Sequence, residues 1–378
     1  MAKLDFASNA TPTVGMELEL GVVDAESQAL VSGSTQLLAA LPDNSAGEFK
    51  HELIQSCVEV ISGVSPTVAH ARADLAAKLH QLERVADNAG MQLWWGATHP
   101  FSRWEDQRVT ENARYQNLVE MLQEMARRLV TFGLHVHVGV DSGDKAVMIC
   151  DRIMQHLPTL LALSASSPYW QDRDTGLESY RSKLMEGLPT AGLPTLMRNW
   201  SEYVWLVHHM EETGFINSIR EIWWDVRPHH NFGTVEVRVC DMPGSLDQAC
   251  GLTALIQCLV KWLNDEIDEG TYQFDCHPMM VRQNKWRAAR FGLQASLVNT
   301  TDYRIEPVPK LVQRLVARLR GVAQDLRCEP ELESVLQMAS GPSWANRQRE
   351  ILDRTGEKRL VVKELCDRSR RGHAHTRA

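Results

Sequence analysis

The sequence lacks several common signatures. Its eight cysteines, at positions 57, 150, 240, 250, 258, 276, 328 and 366, form no Cys-x-x-Cys pair. Most lie in apolar surroundings, so reduced and packed thiols of a cytoplasmic protein are expected, with neither disulfides nor a zinc site. No run of eighteen apolar residues occurs, so no membrane span is expected. The opening MAKLDFASNATPTVG has no apolar h-region, so no secretory signal is expected either. Positive charge is not in surplus: the formal net charge is -8, which argues against a nucleic-acid partner. Any phosphate ligand must then be met by local cations or by metal. No internal repeat and no long low-complexity linker divides the chain.

What remains is an ordinary globular mixture. The chain has 378 residues, 44% hydrophobic and 23% charged, ample for a sizeable core. One domain over 1–365 is expected, followed by a basic, disordered tail over 366–378. VGMELELGVV from Val14 to Val23 alternates as a strand, and a second β-like stretch ends in CVEVI at Ile61. Ser65-Pro66 opens a helix with apolar residues at Val68, Leu75, Leu79 and Leu82, and Gly90 suits its stop. Met91 to Gly96 reads as a short buried strand. Ala113 to Val130 reads as a helix, and Val147 to Leu163 as a buried helix kinked at Pro158. LHVHVGV and TVEVRVC (Thr234 to Cys240) are alternating strands. Leu246 to Ile267, Arg282 to Ser296 and Pro307 to Leu326 are expected helices. A segment from Ser164 to Pro194, rich in Ser, Gly, Pro and charge, reads as a functional loop long enough to act as a lid. The mixed order of elements implies an α+β fold, with an antiparallel sheet covered on one face by helices.

Side chains two apart on a strand share a face. Glu17 with Glu19, His135 with His137, and Glu236 with Arg238 each share one, opposite a row of Met, Leu or Val. Each polar row suits the wet side of a half-exposed sheet. Three strands bearing only Glu, His and Arg, without Lys, suit a site better. Converging carboxylates repel one another unless a cation intervenes, and carboxylates with a histidine suit Mg²⁺ or Mn²⁺. Glu52 and Glu59 can join them only if a bend or bulge separates them, because seven residues of straight strand would put them on opposite faces. Arg238 suits either a structural ion pair with Glu236 or a bidentate contact to a phosphoryl group.

In the same order along the chain stand TVGMELELGVVD, THPF, the Arg114-Tyr115 pair, GLHVHVGV, ALSASSPYW with DTGLESYRS, LPTAGLP, WWDVRPH, GTVEVRVCDMP and NKWRAARFGL. Together they resemble the proteobacterial- and plant-type glutamate–cysteine ligases, including the YbdK-like carboxylate–amine ligases, of the glutamine synthetase superfamily. The resemblance runs from about Val14 to Ala295. It implies a curved antiparallel sheet forming an open funnel, covered by helices, like the glutamine synthetase catalytic domain. It implies an ATP-dependent carbon–nitrogen ligase (EC 6.3.2-like) working through an acyl phosphate. In the best-known members glutamate and cysteine give γ-glutamylcysteine, a step of glutathione biosynthesis. By matching blocks, Glu17, Glu19, Glu52, Glu59, His135 and Glu236 correspond to a metal set for Mg²⁺ or Mn²⁺. His137 and Arg238 correspond to phosphate contacts, and Arg181, Arg287 and Arg290 to substrate or phosphate ligands. Small-molecule amino-acid substrates are the implied partners, in a cytoplasmic protein for which a homodimer fits the family. Two departures stand out: Leu18 where the family has a third Glu, and His230-Asn231 where a Pro is common. A guanidino-kinase-like phosphotransferase and an inactive nucleotide sensor of the same fold are the competing readings.

Overall fold

Alternation in the first strand divides the molecule into two sides. In the computed structural model, which describes residues 4–42, 44, 47–271, 277–299 and 302–374, β1 (Val14–Asp24) buries Met16, Leu18, Leu20 and Val22 completely. Glu17 and Glu19 point the other way, and Leu18 lies in the core as its period demands. Around β1 stand β2 (Phe49–His51), β3 (Cys57–Ile61), β4 (Met91–Trp94), β5 (Leu134–Gly139), β6 (Val226–His229) and β7 (Thr234–Val237). The order across this seven-stranded sheet is β2-β3-β1-β5-β7-β6, with β4 on the end of β1, and every pairing is antiparallel. The sheet is open, as an antiparallel funnel wall requires, and helices cover its apolar face. Leu246–Asp268 is the central helix, packing on β5 and on helices Val68–Asn88, Gly143–Ile153 and Glu329–Ser340.

Local chemistry sets the helix ends. Thr67, Ser142 and Ser245 each accept from a backbone N–H three residues on. Gly90, at φ +67°, ends the helix Val68–Asn88 as expected. The expected helix from Ala113 breaks at Gln123, whose φ of +50° interrupts the turn between Ala113–Leu122 and Glu124–Arg127. The buried helix around Pro158 is two helices, because Pro158 opens Leu157–Ser164 after a 3₁₀ turn at Met154–His156. Helix Pro278–Phe291 starts and stops earlier than expected, and Ser296–Val298 is a strand. Strand order in TVEVRVC ends at Val237.

Two expectations need larger correction. The stretch from Ser164 to Pro194 is not a free lid. It holds a small hairpin, Tyr169–Trp170 with Arg173–Asp174, and a short helix, Arg181–Met185. Buried Asp241 accepts from Ser166 N at 3.0 Å, Ser167 Oγ at 2.7 Å and Ser179 Oγ at 2.8 Å, which fastens its first half to the segment that follows β7. Helix Trp344–Thr355 braces it from outside: Gln348 donates to Ser166 O at 2.7 Å, and Arg349 pairs with Asp174 and Glu178. The tail expected from 366 is helical through Ala374 within helix Lys358–Ala374. Cys366 and Ser369 are buried, and Ser369 Oγ donates to Gly244 O at 2.7 Å. An amphipathic face therefore holds a segment that composition alone marks as solvated; residues 375–378 lie outside the described residues. The seven described cysteines are free and buried, while Cys276 lies outside them. Among the described residues no helix is long and apolar enough to cross a membrane.

Candidate active site

Strand register gathers the polar residues. Glu17 pairs with His135 across β1 and β5, His137 with Glu236 across β5 and β7, Glu19 with Glu59 across β1 and β3, and Arg227 with Glu236 across β6 and β7. The expected bend between Glu52 and Glu59 exists: β2 ends at His51, a turn follows, and the two carboxyls hydrogen-bond each other. One face of the sheet thus carries Glu17, Glu19, Glu52, Glu59, His135, His137, Arg227, Glu236 and Arg238.

The contacts are close. His135 Nδ1 lies 3.1 Å from Glu17 Oε2, and its Nε2 lies 3.6 Å from Glu19 Oε1. His137 Nε2 lies 3.4 Å from Glu17 Oε1 and 3.9 Å from Glu236 Oε1, without a well-directed hydrogen bond although it is buried. Its Nδ1 meets Thr234 Oγ1 at 3.0 Å. One ligand atom each from Glu17, His135 and Glu236 lie within 4.8 Å of one another, close enough to share a cation.

Electrostatically the face has two halves. Around Glu236 cations abound. Arg227 Nε donates to its Oε2 at 2.6 Å, and Arg238 Nη1 to its Oε1. Burial opposes its charge, but Arg227, Arg238 and His137 hold Glu236 well below the usual carboxylate range. Burial likewise opposes the charge of Glu17, and the His135 and His137 imidazoles hold it low. The half around Glu52 and Glu59 is poor in cations. Burial, then the Glu19 charge, pushes Glu52 up to about 7. Burial, then Glu17 and Glu52, pushes Glu59 well above its ordinary value, and the exposed Lys50, 3.7 Å away, relieves it little. Crowded carboxylates without a matching cation are the donor set that a divalent ion satisfies. Glu236 differs from the others of the expected metal set, because both its oxygens already accept from guanidinium groups.

Arg181 stands beside Gly133, the residue before β5. Its guanidinium lies against Gly133, where an added Cβ would come within 2.2 Å of Nη2. Only long contacts satisfy it, to Val239 O at 3.5 Å and Arg238 O at 3.4 Å, and Nε is buried without a partner. Its backbone N–H donates to Ser167 Oγ at 3.0 Å, so the Asp241 network positions it. Gly133 N also donates to Glu19 Oε2 at 2.5 Å, which puts Arg181 at the Glu19 end of the site.

Arg287 and Arg290 are not brought to this face by any described contact. Arg287 donates to Ser296 O at 3.0 Å, and Arg290 covers the Phe291 ring. Residues two and five positions on lie about 200° and 140° round a helix, so Lys285 occupies the inward face instead. Lys285 Nζ is buried between Asp225, at 2.6 Å, and Glu186, at 2.8 Å. Sequence reasoning missed Lys285 and Arg227. Arg227 was within reach: in a hairpin pairing His229 with Thr234, the residue opposite Glu236 is Arg227. No local pattern distinguishes Lys285.

The chain is similar to known proteins along most of its length. A family model described as glutamate-cysteine ligase family 2 matches residues 13–368. A relative from Gloeobacter violaceus, provisionally named glutamate–cysteine ligase 2, is 38% identical over 364 residues, covering 96% of this chain and 98% of that one. A relative from Frankia casuarinae, provisionally named glutamate–cysteine ligase 2-1, is 43% identical over 359 residues, covering 94% of each. Among solved structures, the glutamate–cysteine ligase of Francisella tularensis, in complex with AMP, superposes with a TM-score of 0.71 at 14% identity, covering 98% of this chain and 90% of that one. The bifunctional glutathione synthetase of Pasteurella multocida superposes with a TM-score of 0.67 at 14% identity, covering 97% of this chain and 53% of that one.

Proposed function

We propose that this chain, which belongs to glutamate–cysteine ligase family 2, is an ATP-dependent ligase that joins the γ-carboxylate of glutamate to the amine of cysteine. The observation that carries the reading is the row of Glu17, Glu19, Glu52 and Glu59 on one sheet face, crowded enough that Glu52 is pushed up to about 7. Such a row is unfavourable by itself and becomes favourable around a divalent cation.

A carboxylate is a poor electrophile; phosphorylation by ATP makes it an acyl phosphate, from which the amine displaces phosphate. Glu17, Glu19, Glu52, Glu59 and His135, with an oxygen shared from Glu236, would hold Mg²⁺ or Mn²⁺, which supplies neutralisation of the phosphate charge. Arg238 and His137 offer fixed donors to the transferring phosphoryl group. Arg227 keeps Glu236 ionised and aimed. Arg181, with a bare Nε and two long contacts, is suited to the carboxylate of the amino-acid substrate. Asp241, acting through Ser167, holds Arg181 in position.

The test is ADP release with glutamate and a panel of amines, with and without Mg²⁺. Magnesium-dependent ADP formation that requires both substrates, with an amide product in the mass spectrum, is expected. Absence of ATP binding together with absence of turnover would sink the ligase reading. Glu17→Gln is expected to weaken magnesium-dependent ATP binding about 10–100-fold with the fold intact.

A further inference from the structure

The hairpin joining β6 to β7 turns through His230, Asn231, Phe232 and Gly233. This tip is held rigidly. Gly233 has φ +61°, and an added Cβ would lie 1.4 Å from Ala7 O, so only glycine fits. Ala7 N donates to His230 O at 2.8 Å, and Asn9 Nδ2 donates to Phe232 O at 2.6 Å and Gly233 O at 3.0 Å. The N-terminal segment therefore clamps the turn.

On that clamped turn stands an aromatic surface. The Phe232 ring is stacked on the His229 ring, with centroids 4.2 Å apart and planes 12° apart. Both meet His137 edge-on, His229 at 5.4 Å and Phe232 at 5.6 Å. His137 belongs to the carboxylate face, so the stack stands at the rim of the site, beside the group suited to phosphate. Phe232 is nevertheless 57% exposed. A large apolar ring backed on one side, bare on the other and fixed in place is poor surface chemistry, but a good partner for a flat π-system.

We propose that Phe232, backed by His229, is the platform on which the base of the nucleotide stacks, and so is a residue that selects a nucleotide over a simple polyphosphate. The inference rests on the ATP-dependent reading above. Stacking on an aromatic tolerates any base face, so the platform adds affinity, while the phosphate groups are held by the charged residues deeper in.

Calorimetric titration of the full chain with ATP and with inorganic tripolyphosphate, both in excess Mg²⁺, tests it. Phe232→Ala is expected to weaken ATP binding about tenfold and to leave tripolyphosphate affinity unchanged. Phe232→Leu keeps apolar bulk without the ring and is expected to behave like the alanine variant, while Phe232→Tyr restores ATP affinity. Unchanged ATP affinity in Phe232→Ala overturns the proposal. Equal loss for both ligands also overturns it, because the ring would then be shaping the phosphate end. Wild-type protein that binds neither ligand overturns the ligase reading itself, an outcome distinct from either of those.

Discussion

Arg227 Nε donates to Glu236 Oε2 at 2.6 Å from the directly opposite position on the neighbouring strand, with Arg227 8% and Glu236 1% exposed. Pairs this buried stabilise little relative to an apolar core, but breaking one strands a charge. Arg227→Ala is therefore expected to lower stability by about 3–5 kcal/mol in chemical denaturation. A loss under about 1 kcal/mol would mean that Arg238 alone compensates Glu236.

Gly133 is the wall against which Arg181 rests. Gly133→Ala is expected to push the guanidinium aside and lower kcat/KM by about a hundredfold, with circular dichroism unchanged. Adding Arg181→Ala to that variant is expected to cause little further loss, because both changes remove one interaction. Additive losses would show that Gly133 acts through something else, such as its hydrogen bond to Glu19.

The Glu19–Glu59 pair sets two carboxylates opposite each other on adjacent strands. Without metal such a pair is destabilising, by up to about 1 kcal/mol. Glu59→Gln is expected to raise the metal-free melting temperature and to shrink the rise that Mg²⁺ produces in the wild type. An identical Mg²⁺ response in both proteins would remove Glu59 from the ion's environment.

His99 links pH to stability away from the site. It is buried and donates from Nε2 to Gln28 O at 3.0 Å, while Nδ1 accepts from Ser102 N at 3.0 Å. Burial pushes it down to about 3 from an ordinary value of 6.5, so the folded protein keeps it neutral where the unfolded chain takes up a proton. The stability it contributes is present above pH 6.5 and is lost as pH falls from there towards 3. The slope from this group is about 1.4 kcal/mol per pH unit. His99→Gln is expected to flatten the slope in denaturation curves taken between pH 6 and 4, and an unchanged slope would assign it to His156 and His229, which burial pushes down to about 4.

Much of the site was legible because strand geometry is local. Glu17 and Glu19 had to face away from Met16 and Leu18, and His135 and His137 away from Val136, whatever else the chain did. The Glu52–Glu59 spacing demanded a bend, and a turn lies there. Helical roles were less legible. On Pro278–Phe291 every basic residue is a candidate until the helix is rotated into place, and that rotation is set by packing against Leu157–Ser164. No described contact brings Arg287 or Arg290 to the acidic face, while Lys285 is the buried one, paired with Asp225 and Glu186. The segment after Ser164 read as a lid because its composition is polar. Instead the hydroxyls of Ser167 and Ser179 and the backbone N–H of Ser166 donate to one buried carboxylate, Asp241, over sixty residues away in sequence.

The order of residues alone determined the antiparallel strands, the two faces of each, the acid and imidazole row and the family resemblance. All of these rest on two-residue periodicity or on contiguous motifs. Tertiary structure decided which cation meets which carboxylate, where Phe232 stands, and that the last basic stretch is a packed helix. Those depend on register between strands and on helix rotation, which arise from contacts between residues far apart in the chain and leave no local trace.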